Sequence, residues 1–471
     1  MTLDWRYAFP MTLGLLAISL AIVMASMFLP WKLALLLAPA AAVAGLIFLQ
    51  PFLGLVMLIA LAQLDAIANI ISNALPFSAY KLLTLITVVG VTIDMPRRSK
   101  RHRFGPDTPG MRFAIFFGLA AVVSLLLSEH WSAGVDRMTR LASVMVLFYL
   151  VVLLIDTKER LEIVVWAIIA SGTVSAVIML FDHFFGGHLL STEAAAMSGE
   201  WSGISRSSGA SDYNPTTASH MLLASNVLAI IMFVEGGRFR LLAAATVLLC
   251  TVALVFSYAR SAGIALAVIM ICIAVFYRQR RFFPISVITV VLLAGAAIPF
   301  VPPAYWERMA TLADFNTDRT LWRRLSYNLI GVQLLATHPV FGIGPGNFPH
   351  YYIDEAYRWY PGREPVPRQL HNTYLEVAAE TGLVGFTCFM GVLLMSLRAM
   401  IVTIGARSDS IRRCATALAF AFPAFLVASL FMPNEDTKYM WVLSGLGCAA
   451  FNVARLSRDG SAPRVASGRR A

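Results

Sequence analysis

His371 is the side chain best suited to take a proton near neutral pH, and it stands where a long polar segment re-enters an apolar stretch. Its run goes from His371-Asn372-Thr373-Tyr374-Leu375 through Glu380-Thr381-Gly382-Leu383-Val384-Gly385. Polar groups at the edge of a membrane-compatible helix generally serve a site rather than a core. His371 and Glu380 are nine positions apart, about 900° of helical rotation and roughly 13 Å of rise. On one helix they face opposite sides and make no direct acid–base pair. Glu380 is therefore expected to brace a neighbouring helix while His371 faces an aqueous cavity. The alternative for His371 is an interfacial, hydrogen-bonding histidine.

Three arginine-bearing segments precede it. Arg206-Ser207-Ser208-Gly209 is followed by Asn214-Pro215-Thr216, a restrained approach to a helix start. Ser257-Tyr258-Ala259-Arg260-Ser261-Ala262-Gly263 interrupts an apolar stretch from about 241 to 276. As one helix that stretch would be about 54 Å long, so it reads as two spans joined by almost no loop. Arg260 is thereby held at the membrane edge, where an unpaired arginine costs roughly 2.5–3.5 kcal/mol. It is either a snorkelling anchor or part of a polar pocket. Asp318-Arg319-Thr320-Leu321-Trp322-Arg323-Arg324 leads through an apolar stretch, Leu325 to Leu335, into His338 and the turn Pro339-Val340-Phe341-Gly342-Ile343-Gly344-Pro345-Gly346-Asn347. The stretch between reads as an amphipathic helix on the membrane interface. Gly344 and Gly346 permit a sharp turn and close backbone approach. By themselves they are better explained by a structural turn than by a phosphate site.

No HExxH, Walker A, GxGxxG or DxD occurs. The adjacent acids Asp354-Glu355 and Glu435-Asp436 read as loop acids facing water, and the histidines, His183 and His188 included, lack convincing ligand spacing. No metal site or cofactor is expected.

The elements that must position these residues are membrane helices. The chain is 58% hydrophobic and 13% charged, and fourteen apolar runs recur along it, the first near 10–29 and the last near 441–455. The fold class is an all-α polytopic membrane protein with about 12–14 transmembrane helices and one large periplasmic loop. Its parts are 1–182 and 183–301, both transmembrane, the loop 302–372, the C-terminal helices 373–455, and a basic cytoplasmic tail 456–471. With the N-terminus inside, every inside loop after the second hairpin is basic, which places 183–216 and 302–372 outside. The net charge of +11 is then mostly inside-facing anchor charge and requires no nucleic acid. The five cysteines fall within or at the ends of spans as small apolar residues, without a CxxC.

Taken together, the motifs resemble those of the O-antigen ligase / Wzy-type polymerase superfamily. The resemblance rests on His371-Asn372-x-x-Leu375-x-x-x-x-Glu380-x-Gly382-x-x-Gly385, the Pro339 to Asn347 turn, Arg319-Thr320-Leu321-Trp322, Ser257-x-x-Arg260-Ser261-x-Gly263, and Arg206-x-x-Gly209 with Asn214-Pro215. It covers about 200 to 390. It implies a metal-independent, inverting glycosyltransferase of the bacterial inner membrane, its active site facing the periplasm. The donor would be an undecaprenyl-diphosphate-linked glycan and the acceptor a glycan or a lipid-linked glycan. Polysaccharide assembly and export proteins are further expected partners. On this reading His371 is the catalytic base and Arg206, Arg260 and Arg319 bind the diphosphate. Glu380, Gly344, Gly346 and Asn372 support them. Trp306, Trp322, Trp359, Tyr351, Tyr352 and Tyr357 could stack on sugars or form an interface belt. The Asn434 to Trp441 turn favours a polymerase of surface polysaccharide repeat units. The alternative is a ligase acting on lipid A-core. A transporter of lipid-linked glycans is a third reading, against which stands the clustering of polar features in one half.

Overall fold

The computed structural model describes residues 42–73, 78–98, 108–186, 189–190, 206–211, 214–281, 298–310 and 319–459. Among these every regular element is a helix. In chain order they are α1 (Ala42–Leu49), α2 (Pro51–Gln63), α3 (Asp65–Asn73), α4 (Ala79–Arg98), α5 (Met111–Leu126), α6 (Trp131–Leu154), α7 (Lys158–Phe185), α8 (Pro215–Glu235), α9 (Arg240–Phe256), α10 (Arg260–Tyr277), α11 (Pro303–Ala310), α12 (Arg319–Thr337), α13 (Phe348–Tyr352), α14 (Thr373–Thr403), α15 (Asp409–Ala428) and α16 (Lys438–Asp459), with two short 3-10 turns.

Six of these helices, α6, α7, α8, α10, α14 and α15, are long and apolar enough to cross a membrane. The pair α1 and α2, bent by 116°, makes a seventh if it is one span, and α5 and α9 are apolar but shorter. The expected runs at 10–29, most of 33–49 and most of 285–301 lie outside the described residues. The chain is thus an all-α polytopic membrane protein. Its outward face agrees with a lipid solvent: Phe185, Leu241, Leu248, Ile271 and Val275 are exposed, and apolar side chains cost nothing against hydrocarbon. Cys272 joins that face instead of being buried, whereas Cys250, Cys414 and Cys448 are buried.

The centre of the bundle is α8. It carries small and polar residues on every side, so 83% of its apolar window is enclosed, and it packs against α7, α9, α10 and α15. Trp441, Tyr439, Phe422, Phe425 and Phe389 are buried in the core, where Trp441 meets Phe117 of α5 and Phe148 of α6. The expected near-loopless junction at Arg260 is present: only Ser257, Tyr258 and Ala259 separate α9 from α10. Tyr258 takes φ 53° to make the turn, a conformation that costs a non-glycine residue of order 1–3 kcal/mol.

The segment before α14 is a folded cap with its own core of Tyr327, Ile330, Leu334, Ile343, Phe348, Tyr352 and Leu370, seated on Ala379 of α14. The apolar stretch 325–335 forms a helix with one face in the cap core and Leu329 and Val332 exposed on the other. It is the middle of α12, and Tyr327, Ile330 and Leu334 pack inward against α14. Tyr352 is fully buried there, which removes it from the sugar-stacking candidates, while Trp359 is 80% exposed.

Helix α14 is broken at Gly382, whose φ of 66° is non-helical. The broken backbone is completed by the glycine turn of the cap. Ile343 N and Gly344 N donate to the carbonyls of Ala379 and Glu380, and Leu383 N and Val384 N donate to those of Pro339 and Val340. In an unbroken helix the last two amides would use the first two carbonyls. The turn is thus inserted into the helix's own ladder, and it pairs the two carbonyls and two amides that the break separates.

Candidate functional site

The amino-terminal ends of α8, α10 and α14 lie at the same end of the bundle and, with the cap, enclose a cavity of about 290 Å³. Its lining includes Arg206, Arg260, Arg308, Arg323, Arg324 and Arg368, together with His371, Thr216 and Ser261, and, among the described residues, no carboxylate. Helix amino termini add partial positive charge. The arrangement is complementary to a multiply charged anion, and guanidinium groups match phosphate oxygens through paired N–H bonds.

Arg206 sits in the loop before α8 and is buried. Its Nε donates to the Ser257 carbonyl at 2.7 Å and its Nη2 to Thr216 Oγ1 at 3.3 Å. The loop is held from behind by Asp182 of α7, which accepts from Ser207 Oγ at 2.6 Å. Gly209, at φ 63°, lies so close to Ser175 that a side chain would collide with it. Burial, and after it the charges of Arg308 and Arg260, push the Arg206 guanidinium down to about 9. An anion in the cavity relieves that repulsion. Arg260 is the first residue of α10, on the cavity wall. Arg319 opens α12, but its side chain lies outside the described residues. Arg323 and Arg324, one turn further on, line the cavity. Arg323 is countered by Glu364 at 3.2 Å, which also lies 3.8 Å from Arg368.

His371 lines the same cavity, just before α14. It takes φ 57°, a conformation found preferentially where function imposes it. Its ring lies against Tyr327, with centroids 5.3 Å apart, and Nδ1 is 3.2 Å from Met432 Sδ. A thioether can only accept, so Nδ1 carries the hydrogen and Nε2 the lone pair. Burial first, then Arg324, Arg368 and Arg323, push its pKa down to about 3. The imidazole is neutral at neutral pH, as a base must be.

Asn372 is the amino-terminal cap of α14, its Oδ1 accepting from the amides of Tyr374 and Leu375. Glu380, Gly344 and Gly346 are not at the cavity. Glu380 accepts from Phe348 N at 3.3 Å, and its carbonyl takes Ser124 Oγ at 2.6 Å and Gly344 N at 2.9 Å. Gly344 and Gly346 have φ of 101° and 76°, and a Cβ at either would collide with Ser128 or Arg137. These residues hold the cap on the bundle. The structure therefore brings together Arg206, Arg260 and His371 and places the supporting residues one layer away.

Sequence reasoning missed several residues. Arg308 and Arg368 are hidden in a generally charged segment. His220, in the middle of α8, is wholly buried and joins Ser261 to Asn434. A histidine beside Ser219 within an apolar run was the signal that could have marked it. The acids Glu435 and Asp436 do not face water. Arg137 of α6, 5% exposed at its side chain, pairs with Glu435, with Asp436 at 2.7 Å and with Glu376 of α14 at 3.2 Å. Burial of the turn, which no local pattern announces, overturns the solvated-loop reading.

Residues 245–390 match the family model described as O-Antigen ligase. That match supports the O-antigen ligase / Wzy superfamily and, at the level of the family, a ligase- or polymerase-type glycosyltransferase. The matched segment contains Arg260, the cap and His371, and stops short of Arg206. No curated protein matches the chain.

Proposed function

We propose that the arginine cavity binds the diphosphate of an undecaprenyl-diphosphate-linked glycan at the periplasmic face and that His371 activates the acceptor. An acceptor hydroxyl oxygen attacks the anomeric carbon from the side opposite the diphosphate, inverting that centre. The carbon–oxygen bond to the diphosphate breaks, and its electron pair leaves on the phosphate oxygen. The hydroxyl proton passes to Nε2 of His371. Arg206 and Arg260, with Arg323 and Arg324, stabilise the charge growing on the leaving group, so the chemistry needs no metal. The observation that carries this reading is a cavity that, among the described residues, is lined by six arginines and no acid, with His371 on its wall.

Polymerisation of repeat units and ligation of a finished glycan to lipid A-core use the same donor chemistry. The turn from Asn434 to Trp441, on which the sequence preference for polymerisation rests, holds Arg137 through its acids. Cells lacking the protein, complemented with wild type or His371→Ala at equal expression, separate the two. Single repeat units accumulating on the carrier mark a polymerase. Full-length carrier-linked chains with bare lipid A-core mark a ligase. If His371→Ala restores normal glycans, the role given to His371 is wrong.

A further inference from the structure

The hydrogen-bond polarity behind the cavity can be followed atom by atom. Ser429 Oγ donates to the Phe425 carbonyl at 2.8 Å, so its oxygen is the acceptor for Asn434 Nδ2 at 2.9 Å. In this arrangement the nitrogen of the Asn434 amide faces Ser429 and lies 3.2 Å from His220 Nδ1, while its Oδ1 is buried with no hydrogen-bond partner among the described residues. An amide nitrogen only donates, so Nδ1 of His220 accepts and the ring hydrogen is on Nε2. Nε2 lies 2.7 Å from Ser261 Oγ. Ser261 Oγ therefore accepts from His220, and its own hydrogen is left to point elsewhere. Ser261 is on the cavity wall next to Arg260. Every member of this chain is buried: Ser261 is 4% exposed, and His220, Ser429 and Asn434 are 0% exposed.

We infer that Ser261 is a neutral hydrogen-bond donor to the anion bound in the cavity, and that His220, held as the Nε2–H tautomer by Asn434, is the positioning residue that turns the hydroxyl toward it. The inference rests on the diphosphate reading above. It adds a specificity element, because a hydroxyl oriented this way distinguishes an anion with a bridging or terminal oxygen near Arg260 from a counter-ion held by charge alone. It also gives the chain's buried histidine a task that packing alone does not require. The same turn serves both histidines, His371 through Met432 and His220 through Asn434, and Thr373 locks it by donating to the Met432 carbonyl and accepting from Asn434 N.

The test is calorimetric binding of inorganic pyrophosphate to the purified full-length protein. Wild type is expected to bind and Arg206→Ala to lose binding. Ser261→Ala is expected to weaken binding about tenfold or more, the usual worth of a hydrogen bond to a charged group, and Ser261→Thr to retain it. His220→Leu should weaken binding as much as Ser261→Ala, and the double variant no more than either alone, because both remove one oriented donor. His220→Gln, whose amide nitrogen can replace Nε2–H, should recover part of the loss. Ser261→Ala binding like wild type while Arg206→Ala fails would overturn this inference and leave the diphosphate reading standing. Additive losses in the double variant would overturn the positioning role. Wild type failing to bind pyrophosphate, or Arg206→Ala binding as well as wild type, would overturn the diphosphate reading itself. Should His220→Leu not fold, the Ser261 pair still decides.

Discussion

At the scale of single residues, His371 joins an unusual backbone, a fixed tautomer and a depressed basicity. If it takes the acceptor's proton, His371→Asn should lower glycosyl transfer by roughly 10²–10⁴-fold, the typical contribution of general base catalysis, while pyrophosphate binding changes little. Retained turnover would sink the base assignment. The depressed pKa makes a separate statement about acid. Above the ordinary histidine value of 6.5 the residue is neutral whether folded or unfolded, so it has no effect on stability. As pH falls from 6.5 toward 3, the unfolded chain takes a proton that the folded site refuses, and stability is lost. Denaturation followed across that window should fall less steeply for His371→Asn than for wild type. A bound anion offsets Arg324, Arg368 and Arg323, so pyrophosphate should raise the histidine's affinity for a proton. Calorimetry in two buffers of different ionisation heat should show more proton uptake by wild type than by His371→Asn near pH 5. His371, Arg206 and Arg260 could be read from sequence because each breaks a local rule: a charge at a membrane edge, a histidine at a helix mouth. Arg308 and Arg368 break none, and His220 breaks one only by standing in an apolar run. Their meaning comes only from being brought together across the fold.

At the scale of elements, the insertion of the Pro339–Asn347 turn into the break of α14 explains why Gly382 and the glycine turn occur in one chain. A Cβ on Gly382 would stand 2.2 Å from the Val340 carbonyl oxygen, at φ 66°. Gly382→Ala should therefore destabilise by at least about 1–3 kcal/mol, lowering the thermal midpoint in detergent. Gly45→Ala, where nothing lies within 4 Å, should be neutral. Equal midpoints for the two variants would show that the break is not held as described. The second device is Arg137, which ties α6 to α14 and to the turn before α16. Replacing it by Met leaves Glu376 and Glu435 buried without their cation, a change worth about 3–5 kcal/mol. Adding Glu376→Gln and Glu435→Gln should recover part of that loss, and an unrecovered midpoint would place the damage in packing instead of charge. The helices themselves were legible from apolar run length. The broken ladder and the Arg137 cluster were not, since both depend on partners between about 40 and 300 residues away.

At the scale of the whole molecule, charge is sorted between two ends. Helices α8, α10, α14 and α16 begin at the cavity end, and α9 and α15 return to it. The opposite end carries Arg238, Arg240, Arg278, Arg280, Arg407, Arg412 and Arg413 on short connections. Counting arginines alone would confuse the two ends, because the cap and its cavity are also rich in them. The distinction is physical. Short-loop cations face water and set orientation, whereas charges in long segments have little influence on insertion. The cavity arginines moreover converge on one partly open space. The proposed orientation puts the cavity on the periplasmic side and the short basic loops in the cytoplasm. Trp359, 80% exposed on the cap, and Arg407, exposed between α14 and α15, are suitable reporters. In a variant freed of its five cysteines, Trp359→Cys should react with a membrane-impermeant maleimide applied to cells whose outer membrane has been opened. Arg407→Cys should react only after the inner membrane is breached. The reverse pattern would put the cavity on the cytoplasmic side. A carrier-linked glycan already moved outward could not then reach it, and the proposed reaction would have to be given up.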